Sequence, residues 1–349
     1  MHILDYYSNA GQQSELAELL TLAAQHHPAG LADNFLEKDL WVTEVLRLLF
    51  DEQLLGDFSI AFKGGTALSK CWNAIERFSE DIDLSVHWAD LAGSQNELAE
   101  WTATTASRSQ NDKFRKRQSI RLTEWTNALV DRLNKRFEDF GLAGLNAALE
   151  AQSNGEKIYI HYPRVTSQDS HYQLDYILLE FGGRNRGRPT VTKSVQPYLN
   201  EIDVLDSIEF PSASVQAYRP DYILWEKLTA LHQFSTQTNE PNPERLARHW
   251  YDVDCLLQKQ LTDPLTCSTA MDDVIAMKQQ RWAVKGVNYE MIKMGALQLI
   301  PNAERIEKIA LDHSSAIKGG MFFSTPDSFT TIIDRLRVFQ TELNHTLPD

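Results

Sequence analysis

The sequence predicts an α/β protein of the α+β kind, in which a mixed sheet lies between N-terminal bracing helices and a C-terminal helical domain. Apolar residues recur at helical spacing from residue 14 to 51, with Asn34 as a predicted helix cap, and again after Pro220. Between these regions, alternating apolar runs separated by helical stretches predict strands at 58–62, 82–86, 157–162 and 172–181. We therefore divide the chain into three parts, 1–52, 53–210 and 211–349.

The composition is that of a globular protein with a large core. The chain has 349 residues, of which 42% are hydrophobic and 23% charged, enough for two domains or for one domain with a helical extension. No apolar run approaches the ~20 residues that cross a bilayer, and the first residues lack the basic and apolar regions of a signal peptide. The three cysteines form no Cys-x-x-Cys pair, which is typical of a reducing compartment. We expect a cytoplasmic protein that does not bind membranes.

The net charge of −14 argues against a protein that coats nucleic acid nonspecifically, because phosphate neutralisation requires clustered cations. One segment, 108–136, departs from this balance, with nine basic and three acidic residues, a surplus of six. Leu122, Trp125, Leu129 and Leu133 recur there at helical spacing and predict an amphipathic helix with a basic outer face. That face is either an ordinary solvated surface or one that steers RNA or a triphosphate, and the sequence leaves both interpretations open.

A glycine turn between an apolar strand and a helix is the first candidate functional element. The run Phe62-Lys63-Gly64-Gly65-Thr66-Ala67-Leu68-Ser69 enters two glycines, whose missing Cβ atoms let backbone amides close on a phosphate. The helix after the turn begins near a hydroxyl-bearing residue, Thr66 or Ser69. Gly-Gly alone marks many turns, so this element indicates a phosphate site only in combination with a second one further along the chain.

The second candidate element is an acidic pair on the next predicted strand. In Asp81-Ile82-Asp83-Leu84 the two carboxylates lie two residues apart, so a strand projects both from one face. Close carboxylates repel unless a cation lies between them, and oxygen ligands select Mg²⁺ or Mn²⁺. A solvated strand end is the ordinary alternative for such a pair. A phosphate turn, a helix and paired carboxylates in succession favour a nucleoside triphosphate site.

The run FKGGTALSKCWNAIERFSEDIDLSV resembles the signature of the AbiEii/AbiGii abortive-infection toxins, a branch of the polymerase beta-like nucleotidyltransferases. The likeness extends from Glu37-Lys38-Asp39 to the region of Met321-Phe322-Phe323. It implies a nucleotidyltransferase fold with its catalytic domain at 53–210. It also implies a toxin of a toxin-antitoxin or abortive-infection system that transfers a nucleotide, or a short run of them, from an NTP to an acceptor. The implied acceptor is the tRNA 3′ end or a protein, and the implied partner is a cognate antitoxin.

The resemblance also implies a third carboxylate that completes a Mg²⁺ or Mn²⁺ site with Asp81 and Asp83. Two residues qualify, Asp175 and Glu180, which lie on opposite faces if the strand is regular. The family pattern favours Glu180, because a Gly-Gly turn and Arg184 follow it. Arg184 is a candidate phosphate clamp, since a planar guanidinium matches phosphate oxygens, whereas Arg186 and Arg188 fit an ordinary surface turn.

Two further positions are carried over from the family. Lys227, in Trp225-Glu226-Lys227-Leu228, resembles a helical lysine that neutralises charge on the leaving pyrophosphate. Asp252, in His249-Trp250-Tyr251-Asp252, resembles a later family aspartate that orients the lysine or the nucleotide. By periodicity alone both are ordinary charged residues of helices.

The chain departs from the wider superfamily in having Gly-Gly-Thr in place of Gly-Ser, and a longer gap before the acidic pair. The predicted phosphate-site residues are therefore Lys63, Gly64, Gly65 and either Thr66 or Ser69. The sequence leaves two other functions open. One is a metal-dependent transferase of another class that uses the same Asp-x-Asp, and the other is a protein that binds nucleotides without turnover.

Overall fold

A computed structural model describes residues 1–102, 107–167, 174–185, 187–202, 205, 207–265 and 268–347; residues 108, 183–185, 280 and 281 are described by their backbone alone. The chain forms two compact units. The first comprises residues 1–71, 78–105 and 112–218, and the second comprises residues 72–77, 106–111 and 219–349. The three-part division drawn from the sequence stays a prediction.

The first unit is built on a seven-stranded sheet of order β3-β4-β5-β2-β1-β7-β6. Its strands are β1 Ile60–Lys63, β2 Ile82–His87, β3 Asn146–Leu149, β4 Lys157–His161, β5 Ile177–Asn185, β6 Thr190–Val195 and β7 Ala213–Tyr218. The pairs β2–β5 and β1–β7 are parallel and the other neighbours are antiparallel, which confirms a mixed sheet. The short strands β3, β6 and β7 were not among the predicted runs.

Helices surround the sheet in the same unit. They are α1 Ala10–His26, α2 Asp33–Phe50, α3 Gly64–Lys70, α4 Gln95–Thr102 and α5 Arg108–Phe140, of which the first four residues of α5 are counted in the second unit. The predicted helical region 14–51 is thus two helices, because Pro28 favours extended backbone at His27 and ends α1 there. Asn34 is not a cap as predicted. It lies in the first turn of α2, whose N-cap is Ala32, and its backbone N–H donates to the Asp33 carboxylate at 2.7 Å.

Three consecutive charged residues of α2, Glu37, Lys38 and Asp39, are buried. Buried charges are costly unless they are paired and hydrogen-bonded. Each of the three has hydrogen-bond partners in a different part of the unit. Glu37 accepts from Tyr7, Val165 and Thr166. Lys38 donates to Glu80 and Leu174, and Asp39 accepts from Lys70 and Tyr198. Helix α2 therefore fixes the end of α3 and the segments that lead into β2 and β5.

Helix α5 is the predicted amphipathic helix, and its apolar face is buried with Trp125 against Phe181 of β5 at a ring distance of 5.2 Å. Its basic face is partly neutralised by acids from outside the segment. Arg117 contacts Glu100 at 2.9 Å, and other arginines of the helix contact Glu97 and Glu52. These pairs favour the solvated-surface interpretation for that part of the face.

The second unit is helical, as the periodicity after Pro220 predicts. Its helices are α6 Pro220–Thr236, α7 Arg248–Gln258, α8 Ser268–Arg281, α9 Ala303–Lys318 and α10 Phe329–Thr346. Trp225 and Trp250 are fully buried in its core, and the indole N–H of Trp250 donates to the Leu299 carbonyl at 2.8 Å. Among the residues described, no helix is both long and apolar enough to cross a membrane.

Candidate active site

The glycine turn and the acidic strand meet in the first unit. Lys63, the last residue of β1, pairs in antiparallel register with Asp83 of β2. Gly64 then begins α3 with φ +75°, and a Cβ on it would lie 1.8 Å from Oδ2 of Asp83. Glycine is required twice here, by the left-handed backbone and by the close approach of the carboxylate. This close approach places the predicted phosphate turn beside Asp83, one of the predicted metal ligands.

The two hydroxyls predicted near the phosphate are both engaged within the protein. The Thr66 side chain is fully buried and donates to the Asp81 carbonyl at 2.5 Å. The Ser69 hydroxyl lies 2.5 Å from the hydroxyl of Tyr198. The Thr66 hydroxyl thus links the first turn of α3 to Asp81, the residue before β2, by a hydrogen bond. The assignment of either hydroxyl to a phosphate stays a prediction.

The acidic residues occupy distinct environments. Asp81 lies one residue before β2 and is buried, whereas Asp83 lies within the strand and is half-buried. Glu180 of β5 is exposed and stands in parallel register with Asp83 on the neighbouring strand. Register neighbours on adjacent strands are about 4.8 Å apart and share a face. Asp175, the other candidate for the third carboxylate, is exposed and lies two residues before β5 begins.

The register extends this pair into a row of four charged residues across the sheet. Lys63 pairs with Asp83, Asp83 with Glu180, and Glu180 with Lys157 of β4. The row therefore carries two carboxylates flanked by two amines. The Lys63 amine also reaches toward β5, because a Cβ on Gly182 would lie 3.8 Å from its Nζ atom. Sequence reasoning missed Lys157, since nothing local distinguishes it from other strand lysines.

The donor set of this row suits a hard divalent cation, because its two carboxylates are adjacent and offer only oxygen ligands. Within the described residues, no group of three or more His, Cys, Asp or Glu side chains forms a ready-made metal cage. Mg²⁺ is ordinarily held by one or two carboxylates together with substrate phosphates rather than by an all-protein cage. Asp83 and Glu180 therefore fit a metal ion that binds together with a nucleotide. Asp81, the other predicted ligand, lies one residue before β2.

The second unit carries its own charged cluster, centred on Asp252. This carboxylate is fully buried and accepts hydrogen bonds from Lys227 Nζ at 2.8 Å and from Nε and Nη2 of Arg77 at 2.8 Å each. Burial alone would raise the pKa of Asp252, but the charges and hydrogen bonds of Arg77 and Lys227 outweigh it and hold the pKa well below its usual range. These three residues thus carry two positive charges and one negative charge.

Asp252 contacts the Lys227 amine at 2.8 Å, and its role in orienting either Lys227 or the nucleotide stays a prediction. Arg77 is the residue that sequence reasoning missed here. Burial, followed by the positive charges of Lys227 and Arg248, lowers the pKa of His249 well below its usual value. That imidazole is therefore neutral at pH 7 and adds no charge to the cluster.

The predicted arginine clamp falls at the edge of the described structure. The Gly-Gly turn predicted after Glu180 is wrong, because β5 continues through both glycines to Asn185. Arg184 therefore belongs to a strand. Its side chain lies outside the described residues, and so does the whole of Arg186. Arg188 is exposed and its Nη2 donates to the Ser59 hydroxyl at 3.3 Å. The role of Arg184 stays a prediction.

A mixed sheet whose glycine turn meets an acidic strand fits the fold expected of a nucleotidyltransferase. The chain belongs to the AbiEii toxin family, because the family model described as "Nucleotidyl transferase AbiEii toxin, Type IV TA system" matches residues 47–335. It is thus a nucleotidyltransferase toxin of a type IV toxin-antitoxin system, and such a system implies an NTP substrate and a cognate antitoxin. The resemblance was expected to start at Glu37-Lys38-Asp39, but the matched region starts later, at residue 47. At its other end it extends beyond Phe323, to residue 335.

Among solved structures, the chain is similar to MenT4, a nucleotidyltransferase toxin from Mycobacterium tuberculosis. The two share 17% sequence identity with a TM-score of 0.45, over 95% of this chain and 99% of that one. No curated protein matches the sequence.

Proposed function

We propose that this toxin transfers a nucleotide, or a short run of nucleotides, from an NTP to the 3′ end of an RNA such as tRNA, with Mg²⁺ or Mn²⁺ held by Asp81, Asp83 and Glu180. The observation that supports the proposal best is the register of Asp83 with Glu180 beside the Gly64 turn. This register brings two carboxylates, from strands that are far apart in the chain, to the same face of the sheet. They lie next to Gly64, whose backbone conformation and close contact with Asp83 require glycine.

A bound divalent cation would supply charge neutralisation at the phosphates and lower the pKa of the attacking hydroxyl. The chain's own residues have complementary tasks in this scheme. The Gly64–Gly65 backbone seats the phosphates, and the Lys63 amine balances their charge. Glu180, which is exposed, accepts the proton of the attacking hydroxyl.

We assign Lys227 to neutralising the pyrophosphate that leaves, an electrostatic task that requires no proton transfer. The support for this role is that Asp252 restrains the amine at 2.8 Å while Arg77 balances the same carboxylate. An amine restrained in this way loses little further side-chain freedom when an anion binds. Arg184 is retained as a candidate phosphate ligand on the family resemblance.

The test is incubation of the purified toxin with each radiolabelled NTP, total RNA and MgCl₂, followed by separation of RNA and protein products. Asp83→Asn and Glu180→Gln should each reduce incorporation at least about a hundredfold, the scale of losing a main electrostatic contact. Asp175→Asn is the matched control, since it neutralises an exposed carboxylate just before the same strand. It should keep wild-type incorporation.

Incorporation that survives in both the Asp83 and the Glu180 variant would refute the site. Label that appears only in protein would refute the RNA acceptor and leave nucleotidyl transfer standing. A thermal-shift response to nucleotide sugars but not to NTPs would point instead to a transferase of another class.

A further inference from the structure

The sheet face that carries Glu180 continues onto a group of aromatic rings. Tyr159 and His161 lie on β4, and Tyr176 lies one residue before β5. The rings of Tyr159 and Tyr176 are 4.5 Å apart between centroids, and those of His161 and Tyr176 are 6.0 Å apart. We call these three side chains the tyrosine platform.

The pairing of β4 with β5 places the platform on the same face as the carboxylates. Lys157 pairs directly with Glu180, and side chains alternate along a strand, so Tyr159 and His161 share the face of Lys157. The intervening residues Ile158 and Ile160 are fully buried on the opposite face. The unit therefore buries the aliphatic face of β4 and leaves its aromatic face at the surface.

The platform rings are accessible and held in place. Tyr159 and Tyr176 are half-buried, and His161 is exposed. Burial, followed by the neighbouring Glu150 carboxylate, raises the pKa of Tyr159 to about 12, so its hydroxyl is neutral at pH 7. The contact between the Tyr159 and Tyr176 rings restrains both side chains, and a phenylalanine at either position would keep that contact. A contiguous apolar patch at a protein surface often marks a binding site, and the neighbouring Tyr159 and Tyr176 rings form a small one.

The order of the strands sets the direction from which an acceptor arrives. The glycine turn follows β1, the carboxylates lie on β2 and β5, and the platform lies beyond them on β4. In-line transfer requires the attacking and leaving groups on opposite sides of the reacting phosphorus. Because the proposed function puts the triphosphate beside the turn after β1, an acceptor that attacks in line would approach from the side of β4. From strand spacing and rise, Tyr159 lies about 8 Å from Glu180 along the sheet.

We propose that the tyrosine platform stacks the unpaired terminal base of the acceptor, a single-stranded nucleic-acid 3′ end. The proposal rests on the proposed function and specifies how that site recognises its acceptor. Bases stack on aromatic side chains whatever their sequence, so the platform selects a single strand rather than a particular base. Lys157, between the platform and Glu180 in the register, supplies a positive charge for the backbone of the same strand.

The experiment measures KM for a short single-stranded RNA acceptor, KM for the NTP, and direct binding of a 5′-labelled oligonucleotide without NTP by fluorescence anisotropy. Tyr159→Leu and Tyr176→Leu should each weaken the oligonucleotide about tenfold and leave KM for the NTP unchanged. Tyr159→Phe and Tyr176→Phe keep the rings and should bind the oligonucleotide as the wild type does. Tyr6→Leu, at another half-buried tyrosine of the same unit, is the control.

Circular dichroism and melting temperature report whether the leucine variants fold. A DNA oligonucleotide of the same sequence separates base stacking, which it shares with RNA, from contacts to the ribose 2′-hydroxyl. Weaker binding by the leucine variants than by the phenylalanine variants, with RNA or with DNA, supports the platform.

Unchanged oligonucleotide affinity in folded leucine variants, or a rise in KM for the NTP alone, overturns the proposal. The two proposals can fail separately. If the wild type binds the oligonucleotide through these tyrosines but incorporates no label, nucleotidyl transfer to it is wrong and the platform stands. If label is incorporated equally by wild type and leucine variants at an acceptor concentration below KM, the platform is wrong and the transfer stands.

Discussion

Replacing Lys38 by methionine tests whether the buried ion pair beside the active site holds the first unit together. The Lys38 side chain is fully buried and its Nζ atom donates to Glu80 Oε2 at 2.8 Å and to the Leu174 carbonyl at 2.7 Å. Glu80 precedes Asp81 directly, and Leu174 belongs to the segment that leads into β5. The amine therefore links the starts of the two strands that carry the carboxylates.

The expected cost arises from the burial of both partners. Lys38→Met leaves the Glu80 carboxylate inside the protein without this cation, and breaking a buried pair costs about 3–5 kcal/mol. That is a large fraction of the ~5–15 kcal/mol that stabilises a folded protein. With an m-value of about 2–3 kcal/mol/M, the urea midpoint should fall by about 1–2 M. Tryptophan fluorescence and far-UV circular dichroism follow the transition.

Two comparisons decide whether the reasoning holds. Lys38→Met with Glu80→Met removes both charges and should recover most of the loss, because an apolar pair of similar volume is often as stable as the buried ion pair. Arg117→Met breaks the exposed contact to Glu100, each side chain being 48% exposed, and should cost at most about 1 kcal/mol. A Lys38 variant no less stable than the Arg117 variant would refute the argument, as would a double variant with additive losses.

Two further predictions concern the glycine turn and the Asp252 cluster. Gly64→Ala should abolish measurable nucleotide transfer, because the new Cβ would collide with the Asp83 carboxylate. Gly56→Ala is the control, since Gly56 has a similar φ of +71° and no atom within 4 Å of the added Cβ. The control should lose only about 1–2 kcal/mol of stability and keep its activity. Asp252→Asn should lower the free energy of unfolding by about 3–5 kcal/mol at pH 7, since it leaves the Lys227 amine beside a neutral group. Because the native pKa of Asp252 is depressed, its contribution is present above about pH 4 and is lost as the pH falls through the native value, so urea titrations of the two proteins should converge in acid and diverge toward neutrality.

The sequence predicted part of the candidate active site but not the strand pairing that assembles it. The glycine turn and the acidic pair are encoded within one short segment, and local chemistry was enough to predict that they belong together. Glu180 could be named only with the family pattern, because the sequence alone left Asp175 as its rival. Its register with Asp83 arises from parallel pairing of strands that are distant in the chain. No local pattern specifies such a pairing.

The sequence by itself determined the elements with strong periodicity, including α2, α5 and the helices after Pro220, since their apolar spacing admits one packed face. Tertiary structure alone decided which buried charges meet, as with Arg77 and Asp252 or Lys38 and Glu80. It also decided that the aromatic residues of β4 share a face with Glu180. The physical reason is that helices form from contacts within a few residues, whereas ion pairs and strand registers are fixed only when distant segments pack and exclude water.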